Sequence, residues 1–237
     1  MIRIVPETGS TNADLLSALR DGTPPREGEW LVADRQTAGR GRQGRNWQGG
    51  LHNFMGSTIV QVRPGQPPAH TLSLLTGIAL FDTVQDIAPN LHNLTLKWPN
   101  DLLVGKAKLA GILLEGGTDA VVIGIGVNLA SAPDMPDRET IALTAFGPAP
   151  DRDSFAASLA ANFATELDRW RTYGIEPLIR RWSVAGMRVG TPVSVHEPNG
   201  VVVEGRFDGL EPEGSMRLRL ADGTTRAIHA GDVMLAQ

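Results

Sequence analysis

Apolar residues in the first 185 positions follow two alternating periods. A helical spacing of three to four residues runs through residues 70–87 and 153–173. A shorter helix is predicted between the hydroxyl pair Ser10-Thr11 and Asp21-Gly22, and another over residues 177–182. Alternating or continuous apolar runs, typical of strands, cover residues 2–5, 30–33, 54–62, 94–98, 102–104, 109–114 and 120–127. This order predicts an α+β fold with a mixed β-sheet and helices.

The last part of the chain, about fifty residues, has a different texture, with short predicted strands and no helical period. The strands are expected at residues 193–195, 201–203, 216–220 and 224–228. Asn199-Gly200 and Asp222-Gly223 stand between them and are typical of hairpin turns. Four or five short strands predict a small barrel-like module. We therefore expect two domains, residues 1–185 and residues 186–237.

Composition excludes several classes of protein. The 237 residues carry a formal net charge of −4 and are 41% hydrophobic, which argues against a disordered tail and against a wholly basic nucleic-acid coat. The chain has no cysteine, so disulfides, thiolate metal sites and cysteine nucleophiles are excluded. The five histidines are scattered without metal-ligand spacing. The sequence contains no apolar run suited to export or to a membrane span, and we expect a cytoplasmic protein.

Basic residues are distributed unevenly along the chain. Of the 22 basic residues only three are lysines, and Lys97, Lys106 and Lys108 all lie in one twelve-residue window. Lysine and arginine differ in pKa range and in hydrogen-bonding geometry. The retained lysines are therefore candidates for a chemical role.

Residues 36–50 are rich in glycine and arginine, have no hydrophobic period and are predicted to form a loop. Its glycines allow backbone amides close to a ligand, and Arg40, Arg42 and Arg45 can each bind phosphate or carboxylate oxygens with two hydrogen bonds. Because the guanidinium groups repel one another, we expect the loop to be mobile until a polyanionic ligand orders it. Trp47 could then stack on a base, although an RNA-binding tract has the same composition.

Three further segments can carry chemistry. Lys108 ends a predicted hairpin turn that begins at Gly105, and its ammonium group could hold a carboxylate or remain solvated. Gly124 and Gly126 share one face of a strand and leave a flat floor for a ring system, although close strand packing explains them equally well. The hydroxyls of Ser10-Thr11 can cap a helix or bind a ligand.

Five motifs in a fixed order carry more information than any one of them. They are Ser10-Thr11-Asn12, Gln36-Thr37-Ala38-Gly39-Arg40-Gly41-Arg42-Gln43-Gly44-Arg45-Asn46-Trp47, Lys97-Trp98-Pro99-Asn100-Asp101, Lys108-Leu109-Ala110-Gly111-Ile112-Leu113-Leu114-Glu115 and Gly124-Ile125-Gly126-Val127-Asn128. In this order and spacing the chain resembles the biotin protein ligases, also called biotin–acetyl-CoA-carboxylase ligases. The resemblance covers nearly the whole chain and is highly specific.

The resemblance implies both a fold and an activity. The fold would be a catalytic domain related to class II aminoacyl-tRNA synthetases, followed by a small SH3-like β-barrel. The enzyme would activate biotin with ATP and Mg²⁺ to biotinyl-5′-AMP. It would then transfer biotin to a lysine on the biotin carboxyl carrier domain of a carboxylase.

The resemblance also implies residue roles. Three residues are expected to be catalytic: Lys108, Arg40 and Arg42. The expected biotin-binding residues are Ser10, Thr11, Asn12, Gln36, Gly39, Arg40, Gly41, Arg42, Lys108, Gly111, Ile112, Gly124 and Gly126. The expected ATP-binding residues are Arg45, Trp47, Asn100, Asp101 and Asn128. Magnesium is expected to come with the ATP phosphates, and the sequence does not name its protein ligands.

Two departures from the family pattern qualify the resemblance. Only nine residues precede Ser10, where regulatory members carry a helix-turn-helix domain, so we expect a monofunctional ligase that does not bind operator DNA. Residues 48–57 differ from the usual family pattern and are expected to alter the outer wall of the pocket. Three alternatives stay open: a lipoate ligase of the same fold, an RNA-binding module and an inactive biotin sensor. Monomers and homodimers both fit the sequence.

Overall fold

The structure is a computed structural model that describes residues 1–116, 119–198 and 200–235. The α-helices are α1 (Thr11–Arg20), α2 (Leu72–Ile87), α3 (Arg152–Tyr173) and α4 (Glu176–Ala185). The strands are β1 (Ile2–Thr8), β2 (Trp30–Gln36), β3 (Phe54–Gln61), β4 (Leu94–Lys97), β5 (Asp101–Val104), β6 (Ala107–Gly116), β7 (Ala120–Val127), β8 (Pro192–His196), β9 (Val202–Leu210), β10 (Met216–Arg219), β11 (Thr225–Ile228) and β12 (Asp232–Leu235).

Strands β1 to β7 form one mixed sheet in the order β1-β2-β3-β7-β6-β5-β4. Strands β1 and β2 pair in parallel, and the other neighbours pair antiparallel. The predicted mixed sheet with helices is therefore confirmed. One boundary differs in a way that matters for chemistry: the hairpin turn is confined to Gly105 and Lys106, so Lys108 lies inside β6 and not in the turn.

Helices cover both faces of this sheet. Successive residues of a strand point to opposite faces. Trp30 and Val32 accordingly join the large core formed with α2, α3 and α4, whereas Leu31 joins a smaller cluster under α1. We call the second face the α1 face, and it is marked by Leu31, Ile59 and Val122. The candidate site lies on this face, beside the start of α1.

Helix α1 begins in a way that leaves hydroxyl groups available to the site. Ser10 has an extended backbone at the N-cap, but its side chain makes no capping hydrogen bond. Asp14 supplies an acidic group to the first turn, which the helix dipole favours. The helix ends before Gly22, whose φ of 70° is suited to glycine.

The C-terminal strands form a five-stranded antiparallel sheet in the order β11-β10-β9-β8-β12. The sequence did not predict β12, and it predicted a small barrel-like module. In the described part of the chain no pairing joins β11 to β12, so the described strands form an open antiparallel sheet, and the barrel-like form stays a prediction. Asp222-Gly223 forms the expected turn between β10 and β11. Residue Asn199 of the other predicted turn lies outside the described residues.

One hydrophobic core extends through both parts of the chain. Trp182 of α4 lies against Phe207 of β9 with ring centroids 5.9 Å apart, and both belong to the large core. The division at residue 185 therefore stays a prediction. Among residues 1–116, 119–198 and 200–235, none of the helices has the length and apolar character needed to cross a membrane.

Candidate active site

Strand pairing aligns four site residues in one row across the sheet. Lys97 pairs with Asp101, Asp101 with Gly111, and Gly111 with Gly126. Residues directly opposite each other on antiparallel strands have their side chains on the same face. The row therefore places a lysine and a carboxylate beside two positions where the backbone is bare.

A β-bulge turns Lys108 onto the same face as this row. Leu102 pairs with Ala110 while its neighbour Leu103 pairs with Lys108, which leaves Leu109 as an extra residue. Leu109 and Ala110 are consecutive and both lie in the core. Without the extra residue, strict alternation would point Lys108 into the core as well. The bulge thus supplies the site with its second lysine.

Asp101 is the centre of a buried charge cluster. It is 6% exposed, and its carboxylate accepts hydrogen bonds from Lys108 Nζ at 2.5 Å and from Lys97 Nζ at 2.9 Å. Burial alone would raise the pKa of Asp101, but Lys108 and Lys97 hold this pKa well below its usual range. Burial lowers the pKa of Lys108, and Asp101 opposes part of that shift. The cluster therefore brings two basic side chains to one carboxylate.

A second row builds a polar pocket near the start of α1. Ser57 pairs with Gly124, and Ser57 Oγ donates to Asn12 Oδ1 at 2.6 Å. Thr11 Oγ1 lies 2.6 Å from Ser57 Oγ, and the backbone N–H of Thr11 donates to Gln36 Oε1 at 2.7 Å. A side chain at Gly124 would overlap the carboxamide of Asn12. Glycine is therefore required there by a neighbouring side chain.

Trp47 covers the glycine floor of the first row. A Cβ at Gly126 would overlap the indole, and one at Gly111 would lie 3.3 Å from it. Lys108 Nζ is 5.9 Å from the centroid of the indole ring, within the range of a cation–π contact. The sequence predicted a floor for a ring system, and the ring on this floor is Trp47 itself.

The glycine and arginine loop folds over the cavity. Its ends are joined by backbone hydrogen bonds, from Gly41 N to Arg45 O at 2.7 Å and from Trp47 N to Gly39 O at 2.9 Å. Arg42 donates to Asn100 Oδ1 at 3.1 Å, which ties the loop to the segment before β5. The loop is thus anchored at its base and at its tip.

Carboxylates face the three guanidinium groups. Arg45 forms an ion pair with Asp232, and Arg42 lies 3.7 Å from the same carboxylate. Arg40 is half exposed and lies 3.8 Å from Glu115. The repulsion that we expected among the arginines is therefore balanced by acidic residues that are distant in sequence but close in space. Mobility of the empty loop stays a prediction.

Asn128 lines the cavity and has an unpaired acceptor. Its Nδ2 donates to Lys108 O at 3.4 Å and to Ile141 O at 3.2 Å, which fixes the carboxamide. Its Oδ1 is buried and has no hydrogen-bond partner. A buried acceptor without a donor is costly, so this atom is suited to a donor on a ligand.

A single cavity gathers the predicted residues. Those that line it are Ser10, Thr11, Asn12, Gln36, Arg40, Gly41, Arg42, Arg45, Trp47, Asn100, Asp101, Lys108, Gly111, Ile112, Gly124, Gly126 and Asn128. Gly39 is the exception: it lies behind the lining, where a Cβ would come within 2.7 Å of Trp47 O. Their individual roles stay predictions.

Sequence reasoning gave no role to several residues that the fold brings to this cavity. Lys97 was noted as one of three lysines and as the first residue of a motif but received no role, while Arg138 and Asp232 carried no signal because they are distant in sequence. These three residues add two cations and one carboxylate to the cavity lining. Ser57 lies in the segment whose pattern departs from the family, and its unassigned hydroxyl supports the lining through its contacts with Thr11 and Asn12.

The donor set does not form a protein-held metal centre. Asp101 is bound to two lysines, and within residues 1–116, 119–198 and 200–235 no group of three histidine or carboxylate side chains could hold a metal ion. A magnesium ion is commonly bound through substrate phosphates with few protein ligands. The site therefore fits a metal that arrives with a nucleotide better than a resident one.

Comparison with known proteins gives the same picture along the whole chain. The biotin/lipoate A/B protein ligase family matches residues 6–128, and the biotin protein ligase C-terminal domain matches residues 189–235. The chain is 36% identical over 224 residues to the biotin–acetyl-CoA-carboxylase ligase of Paracoccus denitrificans, covering 90% of this chain and 91% of that protein. It is also 36% identical over 236 residues to the enzyme of the same name from Mycobacterium tuberculosis, covering 98% and 87%.

A solved structure shares the fold over the full length. It is the biotin protein ligase from Aquifex aeolicus in complex with biotin and ATP, with a TM-score of 0.87 and 23% sequence identity. The alignment covers 100% of this chain and 98% of that one. Together with the matched family regions and the two relatives, this likeness leads to one assignment: the chain belongs to the biotin protein ligase family.

Proposed function

We propose that this protein activates biotin with ATP and transfers the biotinyl group to a lysine on the carrier domain of a carboxylase. The family and its two named relatives support the acid and the carboxylase. The Aquifex aeolicus ligase, which shares the fold, holds biotin and ATP. The observation that carries the proposal for this chain is the charge of the cavity.

Six cationic side chains and two carboxylates line the cavity among the described residues, a surplus of four positive charges. They are Arg40, Arg42, Arg45, Lys97, Lys108 and Arg138 against Asp101 and Asp232. The whole chain, in contrast, has a formal net charge of −4. A cavity so different from the rest of the protein fits two anionic substrates at once, a carboxylic acid and a nucleoside triphosphate.

The polar pocket of the second row fits the ureido ring of biotin. A ureido group offers two N–H donors and one carbonyl acceptor. Thr11, Gln36 and Ser57 present hydroxyl, amide and backbone groups within one hydrogen-bonded set. Because these groups are already fixed by one another, little ordering is needed when the ring binds. We assign the ureido ring to this pocket and the carboxylate to the region of Lys108.

The nucleotide is assigned to the side of the cavity that holds Trp47 and Asn128. The indole lies against Gly111 and Gly126, and we assign the adenine ring to stack on it. The unpaired Oδ1 of Asn128 can accept from an exocyclic amine or a ribose hydroxyl. Arg42 and Arg45 then face the phosphates.

The chemistry follows from this placement. An oxygen of the biotin carboxylate attacks the α-phosphorus of ATP, and pyrophosphate leaves. The amine of the acceptor lysine then attacks the acyl carbon, and AMP leaves. Lys108 and the loop arginines stabilise negative charge at both reacting groups, and their fixed positions lower the barrier electrostatically. Neither step needs a covalent bond to the protein, which suits a chain without cysteine.

The more detailed expectations about the fold and about magnesium also belong to this proposal. We propose that the catalytic part is related to class II aminoacyl-tRNA synthetases and that the C-terminal sheet corresponds to an SH3-like domain. Magnesium is proposed to arrive with the ATP phosphates. The lack of operator binding, a possible homodimer and a cytoplasmic location stay predictions.

The test is transfer of biotin to a purified carboxylase carrier domain, followed by intact mass. We expect a mass gain that requires biotin and ATP and that lipoate cannot replace. Transfer of lipoate instead would support the lipoate ligase alternative. A folded protein that transfers neither acid in the presence of Mg²⁺ would contradict the proposal and leave a binding or sensor role.

Replacing Arg40 with alanine should speed the loss of bound biotinyl-5′-AMP. Arg40 lies at the rim and reaches Glu115 at 3.8 Å, while Glu115 accepts a hydrogen bond from Asn12 Nδ2 at 2.8 Å. Removing this contact weakens the attachment of the loop to the ureido pocket and admits water to a labile anhydride. Release of labelled biotinyl-5′-AMP after rapid dilution measures the effect. Arg20→Ala is the control, because Arg20 is exposed. Equal release from both variants would contradict this role.

As the pH rises, the rate of adenylation should fall at a lower pH than the ordinary pKa of an exposed lysine would predict. Burial lowers the pKa of Lys108, so the ammonium group loses its proton at a lower pH than in solvent, and the neutral amine no longer pairs with a carboxylate. Pyrophosphate release without carrier domain isolates this step from the acceptor lysine. In Lys108→Arg the decline should move to higher pH, whereas Lys106→Arg should leave it unchanged. If the decline in rate occurs at the same pH in Lys108→Arg, a group other than Lys108 causes it.

A further inference from the structure

The last strand of the chain brings a carboxylate to the nucleotide side of the cavity. Asp232 opens β12 and is 9% exposed. It forms an ion pair with Arg45 and lies 3.7 Å from Arg42, both on the glycine and arginine loop. Loop and strand are almost two hundred residues apart in sequence, so only the fold makes this contact.

Backbone groups beside Asp232 hold the same strand against the catalytic part. Arg42 donates to Gly231 O at 3.1 Å, and Lys97 Nζ donates to Val233 O at 2.9 Å. Trp98 Nε1 donates to Gly214 O at 3.1 Å in the same C-terminal sheet domain. Each donor belongs to a motif assigned to the active site. Two of these hydrogen bonds hold the residues on either side of Asp232, and the third holds another part of the same sheet domain.

The loop arginines need such a carboxylate. Burial lowers the pKa of Arg42, the carboxylate of Asp101 opposes this shift, and the neighbouring Arg45 adds to it. The other carboxylate lining the cavity, Asp101, is already bound to Lys97 and Lys108. Asp232 adds a second carboxylate, in an ion pair with Arg45 and 3.7 Å from Arg42, and its charge favours keeping both guanidinium groups together before a nucleotide arrives.

We infer that Asp232 is a positioning residue, which holds Arg42 and Arg45 in the geometry that receives the phosphates of ATP. The inference rests on the proposed function and adds to it that the C-terminal sheet completes the nucleotide site. ATP then meets two arginines that are already positioned, and the cost of orienting these two side chains is not taken from its binding energy.

The test compares Asp232→Asn, which keeps the shape and removes the charge, with Asp232→Glu, which keeps the charge. In Asp232→Asn the KM for ATP should rise about ten-fold, the scale of losing one charged partner of an ion pair at a buried site. The Kd for biotin without nucleotide should change less than two-fold, and Asp232→Glu should recover most of the loss. Asp208→Asn is the matched control, because Asp208 sits between Arg217 and Arg219 in the same sheet domain.

A double-mutant cycle separates positioning from a general effect on the fold. With Arg45→Gln in place, Asp232→Asn should add little to the KM for ATP, whereas independent effects would add. An unchanged or lower KM in Asp232→Asn, or full additivity, would overturn the inference. If the wild type transfers no biotin, the proposed function fails, and ATP binding by calorimetry then tests Asp232 by the same comparison of variants.

Discussion

Replacing Lys108 with alanine is expected to slow formation of biotinyl-5′-AMP roughly 10²–10³-fold, the scale of losing one preorganised donor in an active site. The β-bulge at Leu109 points this ammonium group to the α1 face, where we place the biotin carboxylate. Attack on ATP brings two anions together, and a fixed cation between them counts most in the transition state. The loss should therefore appear mainly in kcat.

The fold should survive this change. Asp101 keeps its hydrogen bond to Lys97 at 2.9 Å, so its buried carboxylate is not left without a partner. Lys106→Ala is the matched control, because Lys106 is an exposed lysine in the turn of the same hairpin. Pyrophosphate release gives the rate, and thermal unfolding checks the fold. Full turnover in Lys108→Ala would remove this residue from the mechanism.

Local sequence patterns were sufficient for the elements that build the sheet. Apolar runs such as residues 120–127 and turn signals such as Asp222-Gly223 depend on neighbours in the chain, and both were located correctly. Gly124 and Gly126 were also identified as positions with bare backbone on one face of a strand. What they face was not predicted, because Asn12 and Trp47 come from other parts of the chain.

The missed features depend on long-range pairing. The bulge at Leu109 shifts the register by one residue, and no composition signal marks it. The arginine loop was expected to lack a counter-charge, but Asp232 reaches it only through the docking of β12. The barrel-like form was predicted from the number of short strands, and it stays a prediction because closure requires a pairing between the first and last strands in the sheet order that the described residues do not show.

The rows across the sheet suggest a physical basis for the proposed separation of biotin from ATP. The row with Gly124 carries Ser57 and contacts Asn12, whereas the row with Gly126 carries Gly111 and supports Trp47. Gly124 and Gly126 are two residues apart on one strand, and this spacing places them on the same face. Strand β7 thus supplies one bare position to the proposed ureido pocket and a second bare position to the proposed nucleotide side.

Replacing each of these two glycines with alanine should therefore raise the KM for a different substrate. In Gly124→Ala the new methyl group overlaps the carboxamide of Asn12 and disturbs the pocket that we assign to the ureido ring. In Gly126→Ala it overlaps the indole of Trp47. Overpacking costs about 1–3 kcal/mol, so each affected KM should rise roughly 10–100-fold. Gly124→Ala should raise the KM for biotin, and Gly126→Ala the KM for ATP.

Steady-state kinetics with each substrate varied in turn gives the four KM values. Gly147→Ala is the matched control, because a Cβ at Gly147 would meet no atom within 4 Å and its backbone conformation does not require glycine. Both active-site variants keep the strand, since alanine is compatible with extended backbone. If the two variants raise both constants equally, the glycines serve strand packing alone, and the division of the cavity between biotin and ATP is wrong.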